Sequence, residues 1–422
     1  MTTMSHIELD EQARAILKGN DRGMYTVPTA GLYPYQWNWD SAFAAWGFAT
    51  FDIDRAWTEI QTLLSAQWPS GMIPHILFHQ PDPGYFPGPE VWGANHGPIP
   101  SSGISQPPVA APFVRAIWEA SPDQHLAKLR AAFPKLVAWH RWFMEWRCHE
   151  GMIFITHPWE AGRDNAPDWD LAMQAITPEG VGEYTRRDTS HVDPSMRPTK
   201  EDYDRYIWLV QRGRRLDWDE ATMAVDPPFR VADPTMTFIL LRANRDLAVM
   251  GKALGEDTSE IDAWIEQLEN GTRRLKNPER NIFDAIELNS GTRSGNLSNA
   301  SYLCWYAGID DPDMLASFDH ACAIADYPIA SHDPEAANFD ACRYWRGPTW
   351  AIMNSLIGVG LEGMGHTDRA EQLRHRTASL ITEHGFAEYF DPFTGAPAGG
   401  GTFTWTAAVW LAWASPSSRR DD

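Results

Sequence analysis

Apolar residues recur at helical spacing from one end of this chain to the other, and strand-like alternation is scarce. The pattern predicts helices near 7–19, 39–49, 53–67, 108–120, 123–149, 200–216, 234–254, 257–276, 298–306, 312–325, 348–363, 367–384 and 403–414. Start signals support several of them. Ser121-Pro122-Asp123 precedes one, Asp233-Pro234 opens another, and Thr199 with Asp202 three residues on forms a capping-box pattern. Between Leu126 and Trp146, the residues Leu129, Phe133, Leu136, Val137, His140 and Phe143 share one stripe, which reads as a core face.

With no βαβ alternation, the helices are expected to pair antiparallel, and a dozen of them fit an inner and an outer ring of six. A TIM barrel lacks its eight short Val/Ile-rich strands here, and no fixed-period repeat supports a solenoid. The loops are unequal. Long Pro/Gly/Trp-rich stretches run through 68–107, 150–199, 326–347 and 385–402, and such loops usually carry function. The expected fold class is all-α, an (α/α)6 toroid with long, elaborated loops on one rim. No linker is obvious, so residues 1–422 are read as a single catalytic domain with loop insertions near 68–107 and 150–199. Gly84, Gly88, Gly93 and Gly97 are expected hinges for a lid in the first of these.

Composition removes whole classes of function. A hydrophobic fraction of 43% excludes a disordered chain. A formal net charge of −21 without a basic stripe excludes a nucleic-acid partner, leaving solubility as the plain reading of the acidity. Residues 1–12 carry early acids and no apolar core, so no signal peptide is read there. No apolar run approaches membrane-spanning length. Cys148, Cys304, Cys322 and Cys342 form no C-x-x-C pair and no disulfide framework. The expected compartment is the cytoplasm, with no membrane partner and with homo-oligomerisation left open. Against this background 21 Trp stand beside 18 Phe and 12 Tyr. Some are core; others, in Gly/Pro-rich loops, suit a cleft that stacks on sugar rings.

Five segments carry candidate chemistry. In the first, Gly31 and Tyr33 precede Pro34-Tyr35-Gln36-Trp37-Asn38-Trp39-Asp40, where Asp40 either caps the following helix or holds a hydroxylated ring between aromatics. The second, His157-Pro158-Trp159-Glu160-Ala161-Gly162-Arg163-Asp164-Asn165-Ala166-Pro167-Asp168-Trp169-Asp170, holds four carboxylates among two Trp. Its spacing fits neither a calcium loop nor a zinc site, so no metal is expected. Acid–base work remains, because a carboxyl shielded from water near Trp keeps its proton closer to neutral pH. A polar, self-capping loop is the competing reading. In the third, Glu388 sits among aromatics ahead of the turn Asp391-Pro392-Phe393-Thr394-Gly395. The fourth, Arg343-Tyr344-Trp345-Arg346-Gly347-Pro348-Thr349-Trp350, offers Trp345 and Trp350 as pocket walls, with Arg346 paired to an acid as the structural alternative. The fifth runs from Arg186 through His191 to Thr199, then Tyr203, Arg205 and Tyr206; an Arg fork with a Tyr hydroxyl can hold a small carboxylate, or be a salt-bridged surface loop.

Together these segments resemble the inverting (α/α)6-toroid hydrolases of glycoside hydrolase family 63. The resemblance runs, in order, through Tyr35-Gln36-Trp37-Asn38-Trp39-Asp40-Ser41, His157-Pro158-Trp159-Glu160 to Asp164-Asn165, Tyr344 to Trp350 and Glu388-Tyr389-Phe390-Asp391-Pro392. It implies Asp164 as general acid and Glu388 as general base. Arg187-Asp188, His191-Val192-Asp193-Pro194, Arg197-Pro198-Thr199 and Tyr203-Asp204-Arg205-Tyr206 are similar to the bacterial glucosylglycerate and mannosylglycerate hydrolases. That likeness implies a small anionic sugar substrate, with Arg197 and Tyr203 clamping its glycerate. Tyr33, Trp37, Trp39, Asp40, Tyr85, Gln106, Tyr344, Trp345 and Trp350 would form the sugar pocket. Ala161 and Arg163 depart from the family pattern. A cation at Arg163 close to the acid would lower its pKa, so that side chain is expected to point away or the loop alignment to be loose.

The expected activity is hydrolysis of an α-glycosidic bond to glycerate with inversion, releasing hexose and glycerate without a cofactor. The alternatives are a broader α-glucosidase or trehalase-like hydrolase on the same scaffold, a sugar epimerase or isomerase built on His pairs, and a non-catalytic sugar-binding protein.

Overall fold

The computed structural model describes residues 5–419 of the 422, leaving aside the side chains of Ser190 and His191. The first four residues of the N-terminal segment, and His191 of the fifth motif, thus lie outside the description. Among the described residues are twelve α-helices of six residues or more. They are α1 (His6–Asn20), α2 (Asn38–Phe48), α3 (Ile53–Ser65), α4 (Ala110–Glu119), α5 (Pro122–Trp146), α6 (Lys200–Arg215), α7 (Pro234–Leu254), α8 (Ser259–Leu275), α9 (Pro312–Ile324), α10 (Ala351–Gly363), α11 (Thr367–His384) and α12 (Thr404–Val409). The last runs on into a π-helical turn, Trp410–Ala414.

Two of the expected start signals make their cap hydrogen bonds, while Ser121 holds the position before Pro122 with no side-chain cap bond. Thr199 Oγ1 accepts from the Asp202 N–H while the Asp202 carboxylate accepts from the Thr199 N–H, closing the capping box of α6. Asp233 accepts from Thr235 ahead of α7, whose first residue is Pro234. On α5, Leu129, Phe133, Leu136, His140 and Phe143 are buried as the stripe required, with Val137 at its margin.

Burial sorts the helices into two layers. α2, α7, α10 and α12 are buried nearly all round, which is what helices walled on both sides look like. Contacts run from α2 to α4, to α7, to the turn Ser301–Cys304, to α10, to α12 and back to α2. Outside these, α3 packs on α2, α5 on α4 and α7, α8 on α7, α9 on the 301–304 turn, α11 on α10 and α1 on α12. α6 stands apart, packed against a short helical turn at Pro89–Trp92.

Two expectations need correction. The predicted helix 298–306 is only the 3-10 turn Ser301–Cys304, set between the buried Asn299 and Trp305. There is also more sheet than periodicity suggested. Cys148–His149, Met152–Ile155, Val231–Ala232, Ile286–Glu287 and Thr292–Arg293 form a five-stranded antiparallel sheet in that order. Each strand has two to four residues, too short for a period of two to register. Met152–Ile155 runs straight into the acid-rich loop, and the antiparallel pair Tyr389–Phe390 and Pro397–Ala398 sets the backbone after Glu388. No helix among the described residues is long and apolar enough to cross a membrane.

Candidate active site

The elaborated loops line a cavity with mixed aromatic and polar walls, the kind of lining a small-molecule site shows. Tyr33, Trp37, Trp39, Asp40, Tyr85, Gln106, Asp164, Arg197, Tyr203, Tyr344 and Glu388 all line it.

The second segment shows how one carboxylate of four comes to face this space. Glu160 is buried against Arg147 (Nε···Oε1 3.2 Å) and accepts from the Thr156 N–H. Asp168 takes Arg163 Nη1 at 2.8 Å, and Asp170 takes Arg346 at 2.9 and 2.6 Å. Asp164 alone of the four lines the cavity with its carboxyl in no ion pair among the described residues. Burial pushes its pKa up to about 7, opposed by the charge of Arg197 and by its own backbone N–H, with the charge of Glu388 adding to the rise. Arg163, which sequence left awkward, points away. Its guanidinium is fully buried between Asp168 and Asp233 (Nη2···Oδ1 3.1 Å), lies over the Trp169 ring and donates to Ser298. Gly162 lets this loop close on Trp39. Its φ is +67°, and a Cβ there would sit 2.6 Å from the indole.

Glu388 is fully buried. Its Oε1 accepts from the hydroxyls of Tyr33 and Tyr344, both at 3.1 Å, and lies 3.8 Å from Arg197 Nη1. Its Oε2 accepts from the Gly400 N–H at 3.3 Å, and the Trp405 indole donates to its backbone carbonyl. Burial raises its pKa, while Arg197, Tyr33, Gly400 and Tyr344 each favour the ionised form. Both carboxyls are thus raised by burial, Asp164 to about 7, while Glu388 alone is ringed by hydroxyl and N–H donors that favour its anion. General acid–base chemistry requires such a pair.

Asp40 does not cap α2. Trp37 occupies the N-cap position, the Asn38 N–H donates to the His75 carbonyl, and the Trp39 N–H donates to Gln106 Oε1. Asp40 is instead buried at the cavity wall, and its pKa is raised well above the carboxylate range by burial and then by the charges of Glu388 and Asp164. With its carbonyl oxygen engaged by Trp39, Gln106 is left with its amide N–H groups to offer a ligand. Behind this wall the buried Glu59 gathers Arg55, Ser41, Thr26 and Gln36, locking α2 to α3.

Arg197 comes from the fifth segment. It donates to Asp188 (3.0 Å) and to the Tyr33 hydroxyl (3.0 Å), and lies 3.9 Å from the centre of the Tyr344 ring. Its Nη1 is buried without a hydrogen-bond acceptor among the described residues. Asp188 in turn binds Arg186 at 3.0 and 2.6 Å, and Arg186 lies over the Tyr203 ring. Arg187 pairs with Asp82 across the opposite loop. This is a built cation site, and it lies in the same cavity as the two carboxylates.

Trp345 and Trp350 are a correction. Neither lines the cavity. They are fully buried and stack on each other, with centroids 3.8 Å apart and planes 4° from parallel. Tyr344 and Trp39 stand before them and do face the space. The reversal follows from the backbone, since Trp345 adopts φ +60° and turns its side chain away from Tyr344's direction. Holding a Trp there costs about 1–3 kcal/mol of strain. Sequence reasoning also left out wall residues that the fold brings in, namely His75, Trp159, Arg187, Asp188, Phe403 and Trp405. Trp159, Arg187 and Asp188 were inside motifs already singled out, while His75 and Phe403 carry no signal of their own.

Comparisons with known proteins find relatives over nearly the whole chain. A family model for the mannosylglycerate hydrolase MGH1-like glycoside hydrolase domain matches residues 33–406. Over 428 residues the chain is 43% identical to mannosylglycerate hydrolase MGH1 of Selaginella moellendorffii, covering 98% of this chain and 86% of that one. It is 34% identical to the glucosylglycerate hydrolase of Mycolicibacterium hassiacum, covering 96% of this chain and 97% of that one. The crystal structure of the family 63 mannosylglycerate hydrolase from Thermus thermophilus in complex with Tris and D-glycerate matches with a TM-score of 0.92 and 41% identity, covering 96% of this chain and 99% of that one. The chain belongs to the mannosylglycerate hydrolase MGH1-like enzymes of glycoside hydrolase family 63.

Proposed function

We propose that this protein hydrolyses α-hexosides of glycerate, glucosylglycerate or mannosylglycerate or both, with inversion at the anomeric carbon. What carries this is a single juxtaposition. Asp164, with its pKa near 7, and the donor-ringed Glu388 share one cavity with Arg197, whose buried Nη1 has no acceptor among the described residues. In the proposed reaction Asp164 gives its proton to the glycosidic oxygen as that bond to C1 breaks. Glu388 takes a proton from a water whose oxygen attacks C1 from the opposite face. One water is consumed, and the products are the β-hexose and glycerate. Acid and base in such enzymes stand roughly 6.5–9.5 Å apart, leaving room for the water. Two carboxylates suffice for these steps.

Arg197 and Tyr203 would hold the glycerate carboxylate, and Asp40 with Gln106 the ring hydroxyls. Tyr33, Trp37, Trp39, Tyr85 and Tyr344 would exclude water, with Trp345 and Trp350 backing them. The closed succession of buried elements, with a second helix behind each, supports an (α/α)6 toroid, and one main core, with only a small satellite at Leu380, Ala387 and Phe390, supports a single domain. The test is direct. Incubation with glucosylglycerate and with mannosylglycerate should release glycerate from at least one, and NMR of the first sugar released should show the β-anomer. An α-anomer would remove the mechanism; activity on neutral disaccharides but on neither glycerate glycoside would remove the substrate class.

A further inference from the structure

Asp164 is held from behind. Its backbone carbonyl accepts two hydrogen bonds, from the Tyr206 hydroxyl at 2.9 Å and from the Trp169 indole N–H at 3.1 Å. Both donors are large buried side chains, and they come from different places: Tyr206 from α6, Trp169 from the 3-10 turn just after the acid. α6 grips the same loop a second time at its start, where the His157 ring bonds to the Tyr206 carbonyl at 3.0 Å. The Tyr206 ring packs against His157, Trp159 and Tyr203, and its hydroxyl is directed at the Asp164 peptide, with Asn165 Oδ1 a more distant second acceptor at 3.4 Å. Asp164 makes no ion pair among the described residues that would orient its carboxyl, and its aim into the cavity is therefore set by its backbone. A general acid works only when its proton lies within hydrogen-bond reach of the leaving oxygen, so a small rotation of that peptide would cost rate without emptying the pocket.

We infer that Tyr206 is a positioning residue for proton donation, its hydroxyl fixing the peptide of Asp164 so that the carboxyl meets the glycosidic oxygen. The inference rests on Asp164 being the general acid, and it goes further by separating aim from chemistry. It requires that Tyr206 matter only when the leaving group needs a proton. Fluoride leaves from C1 without one, whereas glycerate does not.

The test compares Tyr206→Phe with the wild type on a glycerate glycoside and on the corresponding α-hexosyl fluoride. Tyr206→Phe keeps the ring and its packing and deletes only the hydroxyl. The expected kcat loss is about tenfold on the glycoside, the scale of one well-made hydrogen bond, and less than twofold on the fluoride. Trp169→Phe, which removes the other donor, should repeat the split if Tyr206→Phe proves too unstable to assay. Equal losses on both substrates, or no loss on the glycoside, would overturn the inference. Asp164→Asn serves as the reference. If it loses the fluoride as completely as the glycoside, Asp164 is not the acid and both claims fall. If it keeps the fluoride while Tyr206→Phe loses both alike, only the positioning role falls.

Discussion

Tyr33 is the hinge of the electrostatics around Glu388, and removing its hydroxyl gives a sharp forecast. The hydroxyl accepts from Arg197 Nη2 at 3.0 Å and donates to Glu388 Oε1 at 3.1 Å, so it passes the cation's influence to the carboxylate. In Tyr33→Phe the ring still meets Trp37 and Phe403 edge to face, and the cavity keeps its wall. Glu388 then loses one of the donors that favour its charged form, keeping Tyr344 and the Gly400 N–H. A hydrogen bond to a charged group contributes about 1.5–3 kcal/mol, and one pKa unit corresponds to about 1.4 kcal/mol. Cavity water recovers part of the loss, so a rise of about one unit is expected for Glu388. The acidic limb of kcat/KM, which reports the base of the free enzyme, should move to higher pH by that amount. The basic limb should stay in place, because the interactions that set Asp164 run through Arg197, Glu388 and Asp188 and not through Tyr33. The assay is a pH series of kcat/KM on a glycerate glycoside for both proteins. An acidic limb that stays put or moves down would refute the role of Tyr33 as a donor to a catalytic base.

Three further outcomes follow from the geometry. In the wild type, kcat/KM should fall as pH rises past about 7, because Asp164, the proposed acid, must hold its proton to act, and burial holds its pKa up to about 7; the same raised pKa makes the folded state bind a proton the unfolded chain has released, so this group's contribution to stability declines between pH 3.8 and about 7, as proton release on unfolding would register. Arg163→Leu should cost about 3–5 kcal/mol in chemical denaturation, since Asp168 and Asp233 would both be left buried without their cation; a cost below about 1 kcal/mol would mean that the buried pair contributes nothing net. Gly399→Ala places a Cβ 2.1 Å from Glu388 Oε2 at φ +73°, and a displaced base of this kind should lower kcat by about a hundredfold with an unchanged circular-dichroism spectrum.

Much of the fold was legible because long buried helices repeat their apolar positions over many turns. α7 and α5 were read to within a few residues of their ends. The five-stranded sheet was not, because Val231–Ala232 or Ile286–Glu287 owes its strand state to neighbours far along the chain and not to any local pattern. The site divides in the same way. Tyr33, Asp40 and Glu388 stood out as polar or aromatic groups crowded into loops, Gln106 came only with the family resemblance, and the fold does bring all four together. Nothing local distinguishes Tyr344, which faces the cavity, from Trp345, which turns into the core, because one left-handed backbone conformation decides it. Nor could adjacency settle Arg163, whose direction is fixed by Asp233, 70 positions away. Of the four acids in the second segment, three are claimed by arginines, Arg147 and Arg346 from elsewhere in the chain and Arg163 from within the segment, and only the folded chain shows which is left.

The contact of α12 with α2 has a consequence for the timing of synthesis. Asp40 and Gln106 leave the ribosome early, Asp164 later, and Glu388 with Trp405 nearly last. The pocket they share needs an end-to-start closure, sealed where Trp410 and Ser415 both donate to Asp10. The earlier helices therefore keep apolar faces uncovered until residues 404–415 are made. No fragment that stops short of that segment holds both carboxylates in an enclosed pocket. Catalysis in this architecture depends on distant parts of the chain meeting, because the pocket is assembled only once Trp405 has joined Asp40 and Gln106.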